Sequence, residues 1–198
     1  MVKHIFITFL IFIAFPGFSQ QFQGGFFGGF SASQIDGDTY SGYNKLGFTA
    51  GAYATRELSR NINLKTEVRY IQKGANKKVT ENSLSMDKTK LQYAEIPLLV
   101  QYFYNNEFYF EGGIVPEFLL ASAEDFGDGF IEPTNPYHLF SLEGTLGAGY
   151  FLSRHIAAGA RYTYSLLPAR DHASGQILRL NLGQRNNVIS FSLYYHFR

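Results

Sequence analysis

Between Ile62 and Lys73 the chain alternates strictly, with Ile62, Leu64, Thr66, Val68 and Tyr70 on one side of an extended backbone and Asn63, Lys65, Glu67 and Arg69 on the other. Such a strand separates two unlike surroundings. A water-soluble sandwich turns the apolar side onto a core, whereas a membrane barrel turns it outward to lipid and the polar side inward to a lumen. The alternation alone fits both, so the choice rests on how the pattern repeats and how the loops are spaced.

The pattern repeats along 198 residues, a length suited to one domain or one barrel. The formal net charge is +1, which gives no footprint for nucleic acid, and the absence of Cys removes disulfides and thiolate metal sites. The 20 Phe, 14 Tyr and 20 Gly suit strands that face lipid. No run beyond residue 20 approaches the roughly 20 apolar residues of a spanning helix. Residues 1–19 read as a secretory leader, with Lys3 and His4, an apolar run from Ile5 to Phe15, then Pro16, Gly17 and Ser19 before the expected cleavage site. The barrel domain is expected over 20–198.

Eight strands are expected: Phe22–Ser33, Leu46–Arg56, Ile62–Lys73, Lys90–Tyr104, Phe108–Leu120, Leu139–Leu152, Ile156–Leu166 and Val188–Phe197. Pro97 lacks an N–H and is expected to make a bulge or kink in the fourth. The connections are long after the odd-numbered strands and short after the even-numbered ones. An all-β, antiparallel, up-and-down transmembrane barrel produces this sorting, with tight turns in the periplasm and long loops outside.

The side opposite the apolar residues carries Glu67, Glu95, Glu111, Glu117 and Glu143 together with Lys65, Arg69 and Arg161. An eight-stranded lumen is just wide enough for side chains to fill it. Buried charges without partners cost several kcal/mol, so these eight are expected to pair into a plug with Arg69 and Arg161 as its hubs. That leaves no room for a substrate, and no enzyme activity, cofactor or metal is expected.

Several segments resemble a known family: Glu67-Val68-Arg69-Tyr70 with Lys73-Gly74, Tyr93-Ala94-Glu95-Ile96-Pro97-Leu98-Leu99, Gly112-Gly113, Gly147-Ala148-Gly149-Tyr150 and Arg161-Tyr162-Thr163-Tyr164. Together they are similar to the PorT-like outer-membrane β-barrel domain common in Bacteroidetes, over nearly the whole mature chain. The resemblance implies an eight-stranded outer-membrane barrel, and one class in that family assists type IX secretion. It also implies handling by the barrel-insertion machinery, although Arg198 follows the usual terminal aromatic, here Phe197.

Other groups have plainer readings. Asp171-His172 with Ser174 could be written as acid, base and nucleophile, but such a triad is a matter of geometry rather than sequence adjacency. His196 is expected to make a lumen hydrogen bond beside Ser192. Glu124, Asp125, Asp128 and Glu132 offer oxygen ligands of the kind Ca²⁺ takes, without a calcium-loop spacing, and read as a solvated loop. Lys77, Lys78 and Lys88, and Arg170, Arg179 and Arg185, fall where lipopolysaccharide phosphates would lie. Tyr102, Tyr104, Phe108, Tyr150 and Phe151 are expected to form an aromatic girdle.

The expected function is a closed outer-membrane barrel with a structural or accessory role, in contact with lipid and lipopolysaccharide and possible secretion-system proteins. The alternatives are a barrel enzyme acting on lipid A or protein, and a small solute pore.

Overall fold

The computed structural model describes residues 22–37, 42–77, 87–171 and 183–197. The leader expected over residues 1–19 lies outside them. Ten strands form one antiparallel sheet: β1 (Phe22–Asp36), β2 (Lys45–Ser59), β3 (Ile62–Asn76), β4 (Lys88–Glu95), β5 (Leu98–Phe103), β6 (Phe108–Asp125), β7 (Phe130–Ile131), β8 (Phe140–Phe151), β9 (Ile156–Ser165) and β10 (Arg185–His196). Each long strand pairs with its sequence neighbour, and β1 pairs with β10 from Gly25 opposite His196 to Asp36 opposite Arg185. The ring therefore closes, and no long edge is left to template aggregation.

β4 and β5 are two halves of one stave, both paired with β3 and β6. Pro97 interrupts it as expected, but the ladder bridges the gap. The Ile96 N–H donates to the Pro116 carbonyl at 2.9 Å, and the Pro97 carbonyl accepts the Glu67 N–H at 3.1 Å. The two-residue β7 folds back on the far end of β6 and adds no stave.

Strands run further into the long connections than the alternation suggests. β1 reaches Asp36, β3 reaches Asn76, β6 reaches Asp125, β4 begins at Lys88 and β10 at Arg185. These extensions mix polar residues with isolated apolar ones, and Ile35 and Ala75 turn inward rather than to lipid, so the apolar-out alternation fades while the backbone ladder continues.

The faces sort as a membrane barrel requires. Phe30, Leu64, Val68, Leu98, Phe191 and Leu193 point outward, with Phe191 at 61% exposure and Val68 at 70%. The interior is filled by polar side chains between two less polar groups. Towards the long-loop end lie Ile35, Ile71, Leu91, Tyr93 and Val188, covered by Tyr137 and Ala169 from the loops. Towards the short-turn end lie Phe27, Tyr53, Ala157 and Tyr194, with Phe151 against them.

Candidate functional site

The interior charges form two clusters. In the lower one, β9 sends Arg161 across to β3, where its two terminal nitrogens reach the two carboxylate oxygens of Glu67 at 2.7 and 2.6 Å. The Arg161 Nε also donates to Glu111 of β6. Lys65 adds a second cation, 3.0 Å from Glu67 and 3.8 Å from Glu111, with its ammonium 3.8 Å from the centre of the Tyr194 ring. Two acids and two bases balance here.

In the upper cluster Lys73 stands between three carboxylates, 2.7 Å from Glu95, 2.7 Å from Glu117 and 2.6 Å from Glu143. Among the described residues Arg69 pairs with one acid, Glu95 at 3.3 Å, and its other nitrogens donate to the Thr49 and Ser190 hydroxyls at 3.0 and 3.2 Å. Oxygens of Glu95, Glu117 and Glu143 come within 4.8 Å of one another, a spacing that could hold a cation. The Lys73 ammonium already fills that role.

All eight residues singled out from the alternation lie inside the ring, none more than 4% exposed. Lys73, equally buried, was missed as an interior group. It continues the same odd-numbered series as Lys65, Glu67 and Arg69, but the adjoining Gly74 reads as the start of a loop. Lys73, not Arg69, is the hub of the upper cluster.

Small residues make room for this interior. A Cβ on Gly149 would lie 2.2 Å from Tyr109 Cζ, and one on Gly147 would lie 2.8 Å from Arg161 Cγ. The Gly147-Ala148-Gly149 motif is thus a space requirement, set at Gly149 by the Tyr109 ring and at Gly147 by the Ala160 carbonyl, at 2.6 Å, together with the Arg161 side chain. At the short-turn end the interior opens into a cavity of about 470 Å³, walled by Tyr53, Tyr109, Phe103 and Phe151 and floored by Lys65.

The sequence of residues 18–169 matches the family model described as outer membrane protein beta-barrel domain. The chain belongs to this outer-membrane barrel family. It is a protein of the bacterial outer membrane, with its apolar outer face against lipid and lipopolysaccharide. Among solved structures it is similar to Ail, the attachment invasion locus protein of Yersinia pestis, with a TM-score of 0.55 at 14% identity over 88% of this chain and 98% of that one. Neisserial surface protein A gives 0.55 at 13% identity, over 89% and 97% of the two chains. At such identities the likeness shows the fold. A comparison with curated protein sequences finds no matching relative.

In an outer-membrane barrel the short turns lie in the periplasm and the long loops outside. Several candidates change character in that frame. Between Gln92 and Tyr93 the register against β6 shifts, so that Ala121 faces Gln92, Leu119 faces Tyr93, and Leu120 is the extra residue of a bulge. The bulge reverses which residues point inward. Glu124 is consequently buried, bound to Arg170 at 2.7 Å, and is not part of a solvated loop.

Arg170 is correspondingly turned inward, stacked 4.3 Å from the Tyr137 ring and bonded to Gln184, and does not face lipopolysaccharide. Arg185 donates to the Ser165 and Leu166 carbonyls. Lys77 lies 3.6 Å from Asp87; Lys78 and Arg179 fall outside the described residues. Asp125 stays outside the bilayer, where the Gly127 N–H, and then that of Gly129, hold its carboxyl below the usual range.

Asp171 is exposed and lies 3.6 Å from His138, while His172 and Ser174 lie outside the described residues. His196 does hydrogen bond in the interior, its Nδ1 2.6 Å from the Tyr53 hydroxyl. Of the aromatic set, Tyr102, Tyr104 and Tyr150 face outward, but Phe151 points inward onto Phe103, Tyr109 and His196. Adjacent residues of a strand cannot share a face, so Tyr150 and Phe151 could not both belong to a girdle.

Proposed function

We propose that this protein is a closed, non-enzymatic barrel of the PorT-like type that acts as a structural or accessory component of the outer membrane and offers its outer loops for contact. The observation that carries this reading is the pair of ion clusters crossing the interior, which link β3 to β4, β6, β8 and β9 through fully buried groups. A solute would have to break charge pairs at two levels and then pass the apolar layer beneath Tyr137 and Ala169.

Membership in a PorT-like, Bacteroidetes-type subgroup rests on the Tyr93-to-Leu99 segment, whose Pro97 sits at the strand break between Glu95 and Leu98. Secretion-system proteins are the proposed partners of the outer loops, and the barrel-insertion machinery the partner during assembly. The enzyme alternative needs Asp171 to work with His172 and Ser174, which lie outside the described residues; the partner described for its exposed carboxylate is His138, at 3.6 Å.

Reconstitution into planar bilayers tests the closed interior. The expected result is a membrane without steady unitary conductance at the protein density that gives channels with a porin control. Reproducible open channels of one size would favour the solute pore. Photo-crosslinking from the loop position Phe126 in cells tests the contact role, with a discrete adduct expected. Absence of any adduct there and at Phe130 would count against it.

A further inference from the structure

The upper cluster does not balance. Among the described cations, Glu95, Glu117 and Glu143 pair only with Lys73 and Arg69, and all five groups are at most 2% exposed. One negative charge is left in a place where an isolated charge costs several kcal/mol. The deficit can be traced to one carboxylate. Glu95 is shared by both cations, its Oε1 in a 2.7 Å ion pair with Lys73 that is not aligned as a hydrogen bond and its Oε2 bonded to Arg69. Glu143 shares Lys73 and also accepts the Ser165 hydroxyl at 3.3 Å. Glu117 shares Lys73 through Oε2, and its Oε1 meets only the side-chain amide of Asn186, at 3.5 Å.

Asn186 supplies a second sign, shared with Tyr93. It is 1% exposed, and neither its Oδ1 nor the hydroxyl of the adjacent Tyr93 has a hydrogen-bond partner among the described residues. The two ends of a side-chain amide are assigned from their partners rather than seen directly. Turning this amide over would set the orphan acceptor opposite Glu117 Oε1, where it calls for a donor. An ionised carboxylate has none to give, but a carboxylic acid has one. A single hydrogen on Glu117 would remove the surplus charge and partner the acceptor.

We propose that Glu117 is protonated in the folded barrel and donates its Oε1–H to Asn186, which makes the upper cluster a binding site for one buried proton. The groups facing it are Glu95 and Tyr93 from β4, Glu143 from β8, Lys73 and Arg69 from β3, Ser165 from β9 and Asn186 from β10. The lower cluster, with Glu67 and Glu111 against Lys65 and Arg161, needs no such proton.

Glu117→Gln tests this, because an amide replaces a carboxylic acid with little change of shape or charge. Its unfolding midpoint should stay within about 2 °C of the parent, while Glu111→Gln in the balanced cluster should fall by on the order of 10 °C. Infrared spectra of the parent at neutral pH should show a protonated-carboxyl C=O band that Glu117→Gln abolishes and Glu111→Gln retains. The proposal is overturned if the parent lacks the band, if the band survives in Glu117→Gln, or if that variant falls as far as Glu111→Gln. It is also overturned if the parent's midpoint rises with sodium at constant ionic strength, since a bound cation would then supply the missing charge.

Discussion

Arg161 grips Glu67 with two parallel hydrogen bonds from the opposite wall of the barrel, at 2.7 and 2.6 Å, and fixes Glu111 with its third nitrogen. Replacing it with Met leaves two buried acids to Lys65 alone. Breaking a buried pair from one side costs about 3–5 kcal/mol. Arg161→Met should therefore lose heat resistance on semi-native gels. Replacing Lys65, Glu67, Glu111 and Arg161 together with apolar residues of similar volume should restore most of it.

Lys73 and Arg69 separate the two candidate hubs. Lys73 touches three carboxylates and Arg69 one. Loss of Lys73 leaves Glu95, Glu117 and Glu143 facing a single cation, so Lys73→Met should unfold at lower urea than Arg69→Met. Refolding into lipid vesicles across a urea series measures the order.

Gly149 tests packing rather than charge. Tyr109 packs between Phe103 and Phe151, with ring centres 5.5 and 5.8 Å away, so a Cβ on Gly149 can be accommodated only by pushing the ring out of this stack toward the cavity at the short-turn end. Gly149→Ala should cost on the order of 1–3 kcal/mol by overpacking. Adding Tyr109→Leu to the same chain should relieve the clash, which a double-mutant cycle would read as a favourable coupling.

The lipid face carries its own depth dependence. Val68 is 70% exposed near the middle of β3, whereas Leu58, 55% exposed, lies at the short-turn end of β2. An arginine near the bilayer midplane costs about 2–4 kcal/mol and close to nothing at the interface. Val68→Arg should lower vesicle stability by that amount, and Leu58→Arg should leave it unchanged.

The alternation in the sequence carries the barrel because the bilayer and the lumen impose opposite demands on neighbouring residues. Val68 and Arg69 obey it, and so do Phe191 and Ser190. The signal fails where that contrast ends. Lys73 continues the inward series, but Gly74 and the polar residues beyond it hide the last turn of the strand. Glu124 is hidden differently, since one extra residue at Leu120 reverses the parity and the sequence has no mark for a bulge there. The partners of each charge are also unreadable from one strand. That Arg161 meets Glu67 rather than Glu143 depends on the stagger between distant staves.

Collision accessibility tests the sidedness most directly. The chain has no cysteine, so single nitroxide labels can be placed at Leu64, Val68 and Phe191 without background. In vesicles, the labels should be relaxed strongly by dissolved oxygen, which concentrates in lipid, and weakly by a water-soluble nickel chelate. Labels shielded from both reagents would mean that these side chains sit in a dry protein core, and the inside-out arrangement would be wrong.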